Sequence, residues 1–109
     1  MTFALNLLFF HQKEKNTMKY REHCKRAKEK FGKDWCVVHR WLDEYAKQDL
    51  INHRRARHHK EGVEEIKKMW GKEAALVAEQ HIMDDMVDYG GIVPDADWYN
   101  KNWIEHKNT

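Results

Sequence analysis

Two histidine–aspartate pairs stand four residues apart in this sequence, His39 with Asp43 and His81 with Asp85. In a helix that spacing sets an imidazole and a carboxylate side by side on one face, where they can converge on a divalent ion. The stretch His53-Arg54-Arg55-Ala56-Arg57-His58-His59-Lys60-Glu61-Gly62 adds more imidazole. It contains no histidine pair at chelating spacing, so a site must be assembled between helices. The expected ligands are His39, Asp43, His58 or His59, His81 and Asp85, and the ion would be zinc, iron, nickel or manganese. His11, His23 and His106 are expected at the periphery.

A purely structural arrangement satisfies the same polar groups. In it, Asp85 and Asp43 are ion-paired to Arg55 or Arg57, with Arg55 and Asp85 as the leading pair, and the histidines donate to carboxylates. Either way the inward nitrogens need partners, because a buried imidazole or guanidinium without one costs about 2 kcal/mol or more.

Residue inventory sets several chemistries aside. The chain has no serine, which removes Ser-His-Asp catalysis. It also lacks Gly-x-x-x-x-Gly-Lys, His-Glu-x-x-His, Glu-x-x-His and the His-Asp dipeptide, the marks of P-loop, zincin, di-iron and HD-type phosphohydrolase sites. Cys36 and His39, three apart, could form a thiolate–imidazolium pair, though a lone Cys near a Trp and two Val more often packs. For nucleic acid, the candidate surface is Arg54, Arg57 and Lys60 on the outer side of the third helix with Lys19, Arg21, Lys25, Arg26 and Lys28 on the first. The inward-leaning Arg55 and His59 have no role in that surface.

The elements that must position these residues are helical. Tyr20, Cys24, Ala27 and Phe31 recur at helical spacing before Gly32, which predicts a first helix. Asp34 is the expected cap of a second, from about Trp35 to Lys47, striped by Trp35, Val38, Leu42 and Tyr45. Asp49 could cap a third of roughly twenty residues, ending at Gly71, in which His59, Val63, Ile66 and Trp70 share one face. A fourth, Lys72 to Tyr89, carries Ala75, Ala78, Ile82, Met86 and Tyr89 and stops at Gly90-Gly91. After Pro94, Asp95 or Asp97 could cap a last short helix holding Trp98, Tyr99 and Trp103. Ile92-Val93 is the one brief strand signal.

The chain's 109 residues allow one domain, and 12% aromatic content with five Trp argues for a packed core despite 35% charged residues. The fold class expected is all-α, a compact bundle of four to five helices. Net charge is +2, with basic residues concentrated between Lys13 and Lys33. Such a run is more often a solvated helix face than a nucleic-acid surface. Two cysteines, Cys24 and Cys36, make no secreted disulfide framework, so a reducing cytoplasm is expected. Phe3 to Phe10 is apolar but far short of the ~20 residues of a membrane span, and no membrane partner is expected.

Lys13-Glu14 can be encoded as AAG-GAG, a bacterial ribosome-binding sequence, about nine nucleotides before Met18. Translation is accordingly expected to start at Met18, leaving residues 1–17 as a non-native or disordered extension and 18–109 as the domain. A native protein whose intact mass requires Met1 would refute this. The other use for those residues is a short hydrophobic arm docking on a neighbour.

The run His-Arg-Trp-Leu-Asp at His39 to Asp43, the His53 to Gly62 core, Glu79-Gln80-His81 followed by Asp85, and Pro94 through Asp97-Trp98 together resemble a small family of bacterial and bacteriophage proteins with no assigned activity. The resemblance covers roughly Phe31 to Trp103. It implies a compact helical domain, a phage or mobile-element origin, the host cytoplasm as location, and a host protein as a partner. On that footing Trp98, Tyr99 and Trp103 would form a docking patch. The function expected is a cytoplasmic metal-binding helical protein, acting on a phosphoester through a metal-bound water of pKa about 7. The alternative is a non-enzymatic protein that binds a host protein or nucleic acid.

Overall fold

The stripe of Tyr20, Ala27 and Phe31 becomes the inner face of α1 (Tyr20–Phe31), and Gly32 ends it in the left-handed conformation, φ 80°, its N–H on the Lys28 carbonyl. The structure, a computed structural model, describes residues 19–48 and 53–102. Residues 1–17, Asp49, Trp103, His11 and His106 lie outside the described residues.

The second helix, α2 (Cys36–Leu42), is shorter than its stripe predicts. Its N-cap is Trp35 and not Asp34, which lies one residue earlier and whose Oδ1 accepts the Cys36 N–H at 3.3 Å in a local side-chain turn. Trp35 between them adopts φ 54°, a left-handed geometry that costs a non-glycine residue about 1 kcal/mol. The helix does not reach Lys47 because Arg57 donates to the Trp41 carbonyl at 2.8 Å, where Tyr45 N–H would bind in a continued helix. Turns follow from Asp43 to Gln48.

The single third helix expected from the pattern is instead two, α3 (Arg54–Arg57) and α4 (Lys60–Trp70). His59 is the reason. Its backbone is extended, and its Nδ1 accepts the Gly62 N–H at 3.0 Å, so an imidazole serves as the N-cap of α4. The turn is tight: a Cβ on Gly62 would lie 2.0 Å from the Arg57 carbonyl oxygen. The Lys60 N–H is taken by the Pro94 carbonyl at 2.8 Å, tying the corner to the chain's last segment.

Next come α5 (Lys72–Asp85), a 3₁₀ turn over Val87–Tyr89, and α6 (Ala96–Asn102). Of the two caps considered for α6, Asp95 is the one used, its Oδ1 accepting from Trp98 N at 2.8 Å. The protein is thus all-α, with six α-helices and no strand among the described residues. None of those helices is long and apolar enough to cross a membrane. The α5 helix is the centre of the packing: Ala74, Val77, Ala78, His81, Ile82 and Asp85 are all buried, so it is covered on several sides. Ile66, Leu42, Val38 and Met86 complete the apolar core, each buried aliphatic side chain contributing about 2 kcal/mol.

Candidate metal centre

On one side of α5 the core changes character. His81 and Asp85 project inward from it, both at most 2% exposed, to meet Asp43 from the end of α2 and His58 from the α3–α4 corner. His58 Nε2 lies 3.1 Å from Asp85 Oδ2 and 3.4 Å from Asp43 Oδ1, while His81 Nε2 lies 3.3 Å and 3.2 Å from the same two oxygens. Two nitrogens and two oxygens therefore alternate round a small ring.

Hydrogen bonds account for two of the four contacts, His58 Nε2 to Asp85 Oδ2 and His81 Nε2 to Asp43 Oδ1, and leave the other two without a proton. Each Nε2 sits between two oxygens and has at most one proton to give, and the distances exceed the ~2.7–2.9 Å of a charge-assisted bond. Asp43 Oδ1 has a third imidazole, His53 Nε2, at 3.3 Å. Buried His58 Nδ1 has no hydrogen-bond partner. An ion with bonds of ~2.0–2.1 Å in tetrahedral coordination has six ligand–ligand edges of ~3.3–3.4 Å; the four nitrogen–oxygen distances are of that size, and all four donor atoms lie within 4.8 Å of one another. Two carboxylates and two neutral imidazoles would also balance a divalent charge.

Outer histidines orient His81 and back Asp85. His39 Nε2 faces the Asp34 carbonyl at 3.1 Å, so that nitrogen carries the hydrogen and Nδ1 offers a lone pair. His81 Nδ1, 2.9 Å from it, must then be the donor. The network so assigns His81 a protonated Nδ1 and directs its Nε2 toward the carboxylates. Behind Asp85, His23 Nε2 lies 3.2 Å from Oδ1 without hydrogen-bond geometry, and its ring stacks on His81 with centroids 3.5 Å apart.

Electrostatics follow from this packing. Burial, joined by the His81 charge, depresses His39 to about 3. The same causes, in the same order, depress His23. Burial would also depress His81, but the Asp43 and Asp85 carboxylates overcome it and hold that imidazole up at about 9. Burial opposes ionisation of Asp43 and Asp85, yet the surrounding histidines pull both well below the usual carboxylate range. Without metal the centre is a cationic imidazole clasped by two anions, the charge pattern that a divalent ion would replace.

Of the residues proposed from sequence, Asp43, His58, His81 and Asp85 are brought together. His39 stands behind His81, both ring nitrogens engaged. The capping role of His59 takes Nδ1, and its Nε2 faces the Ala56 carbonyl at 3.1 Å, away from the cluster. Arg55 is not paired with Asp85: it donates to the Tyr99 carbonyl at 3.2 Å and Asn100 Oδ1 at 2.9 Å, because the break after α3 turns it toward α6. His23 is buried rather than peripheral, and His53 joins the site unforeseen.

Other expected surfaces are also redistributed. Arg54 is buried, with Nη1 toward Met86 Sδ, instead of facing outward. Arg57 stacks on Trp41 and Tyr45, and Arg26 pairs with Asp84 at 2.8 Å, while Lys19, Arg21, Lys25, Lys28 and Lys60 are exposed. Tyr99 is buried, its hydroxyl donating to the His58 carbonyl at 2.6 Å, so it is not part of an exposed aromatic patch. Cys36 Sγ faces Cys24 Sγ, and with His39 occupied elsewhere there is no Cys36–His39 pair.

Asp43 is the exposed edge of the centre, its side chain 17% accessible against at most 1% for His58, His81 and Asp85. It opens with His53 onto a groove of about 750 Å³ whose lining includes Lys19, Arg40, Lys47 and Glu44 together with Trp41 and Trp70. Fold and geometry define an all-α domain built around buried histidine and aspartate side chains that could hold a metal. The chain belongs to the family described as Domain of unknown function (DUF6915), whose model matches residues 18–107. No curated protein and no solved structure matches it.

Proposed function

We propose that the protein binds one divalent transition metal through Asp43 Oδ1, His58 Nε2, His81 Nε2 and Asp85 Oδ2, and uses it to hydrolyse a phosphoester. The observation that supports the metal assignment is the ring of four donor atoms, with nitrogen–oxygen distances of 3.1 to 3.4 Å, on three buried side chains and the partly exposed Asp43. Zinc suits that tetrahedral spacing, and iron, nickel or manganese suit the same imidazole and carboxylate donors.

The hydrolytic reading rests on the groove. An ion with more than four coordination positions, such as manganese, iron or nickel, would supply a Lewis acid and a water of lowered pKa beside the four side chains. The chain supplies access along Asp43, and Lys19, Arg40 and Lys47 provide charge opposite to a phosphate. His53 Nε2, 3.3 Å from the same Asp43 oxygen, orients that carboxylate toward the groove. The test is hydrolysis of bis(p-nitrophenyl) phosphate by protein loaded with zinc or manganese, beside Asp43→Asn. Metal-dependent turnover lost in the variant supports the reading; metal-loaded protein without turnover removes hydrolysis and leaves a metal-binding protein.

A further inference from the structure

The two cysteines belong to neither the centre nor the groove, yet they are not scattered through the core. Cys24 lies on α1, buried, and Cys36 opens α2, half-buried, with their Sγ atoms 3.0 Å apart. That is about 1 Å outside the ~2.05 Å of a covalent S–S bond, so little backbone movement separates the two states. Tyr20 adds a hydroxyl to the same cluster; its hydrogen bond to Cys36 and its burial raise the phenol above its ordinary value. Each cysteine also neighbours a residue of the centre's second layer: His23 precedes Cys24, and His39 is one turn beyond Cys36.

We propose that Cys24 and Cys36 are an oxidisable dithiol, closed by a low-molecular-weight disulfide into a bond that clamps α1 to α2 behind His23 and His39. The Cys36 sulfur, the more accessible, attacks one sulfur of the small disulfide as its thiolate, forming a mixed disulfide and releasing one small thiol. The Cys24 sulfur then attacks Cys36, forming the Cys24–Cys36 bond and releasing the second thiol with the remaining proton. Two electrons pass from the protein dithiol to the small disulfide, and no other reactant is consumed. Burial, with the hydrogen bond to Cys36, pushes the Cys24 thiol up to about 12, which disfavours Cys24 as the initiating sulfur; in the second step its 3.0 Å approach to Cys36 favours attack there over a competing thiol. This inference stands whether or not the centre binds metal.

The full chain, reduced and freed of reductant, would be incubated with glutathione disulfide and measured by intact mass, non-reducing peptide mapping and thermal melting. The expected product is lighter by about 2 Da, carries a Cys24–Cys36 cross-link, and melts about 5–15 °C higher than the reduced form. Stable glutathionylation at one cysteine, cross-linked dimers, or two thiols that stay reactive would overturn it. So would an intramolecular disulfide that leaves the melt unchanged, because the clamp would then be absent. Cys36→Ala should abolish both the mass loss and the redox dependence of melting; should it not fold, the native-chain measurements still decide.

Discussion

His39 and His81 meet edge to edge, Nδ1 to Nδ1 at 2.9 Å, and that contact decides which face of His81 is available to a ligand. With the His39 hydrogen committed to the Asp34 carbonyl, His81 has to donate from Nδ1. His39 thus positions His81 without touching the ion. His39→Phe should retain the fold and weaken zinc affinity by about 10–100-fold, the usual effect of losing an outer partner. Chelator competition reads this directly; unchanged affinity would show that the tautomer is fixed by something else.

Gly62 tests the corner that delivers His58. Helix propensity alone would favour alanine by about 1 kcal/mol. Steric overlap opposes it, since the new Cβ would fall 2.0 Å from the Arg57 carbonyl oxygen, a backbone atom that cannot swing away. Overlap should win: Gly62→Ala is expected to destabilise by about 3 kcal/mol or more in denaturant unfolding. A gain in stability would mean that the two helices do not turn so sharply.

Tyr99 supports the same corner from below. Its hydroxyl donates to the His58 carbonyl at 2.6 Å in a buried setting, so Tyr99→Phe leaves that acceptor unsatisfied. The expected loss is about 1–3 kcal/mol, with weaker metal binding as His58 loosens. Equal stability of the two proteins would remove Tyr99 from the account.

The helices were legible in the sequence where local chemistry fixes them: Gly32 and Gly71 stop helices and Asp95 caps one, whereas the second predicted helix ends at Leu42 short of Lys47 and the fourth at Asp85 short of Tyr89, where no glycine or proline stands. The break at His58-His59 was not, since no glycine or proline marks it and histidine is not an ordinary N-cap. The His/Asp spacing pointed to Asp43, His81 and Asp85, residues that the fold brings together from separate helices. Placing His59 instead of His58 inward followed from assuming one continuous helix. His23 carried an unused signal: it is three residues after Tyr20 and four before Ala27, on the same face as that stripe. The role of His53 depends on where the chain enters α3, which no local pattern specifies.

The metal-free centre should have a pH signature. His81 is held at about 9 in the folded protein against 6.5 ordinarily, so folding takes up a proton between those values. Its stabilising contribution is complete below 6.5 and is lost as pH rises through about 9. His39, depressed to about 3, works the opposite way: it contributes above 6.5 and loses that contribution as pH falls. In EDTA-treated protein the Tm should therefore fall between pH 6.5 and 9 more steeply than in His81→Gln. Parallel curves would place the proton elsewhere.

The most direct test of the metal centre is elemental analysis of untagged protein purified without chelator, paired with thermal melts before and after EDTA and with the same measurements on His58→Ala. Close to one zinc, iron, nickel or manganese per chain is expected, with a lower Tm after chelation and loss of both metal and shift in the variant. Metal-free protein that takes up none of these ions on addition, and whose melt ignores EDTA, would contradict it and leave the histidine–aspartate ring as a buried ion-pair network.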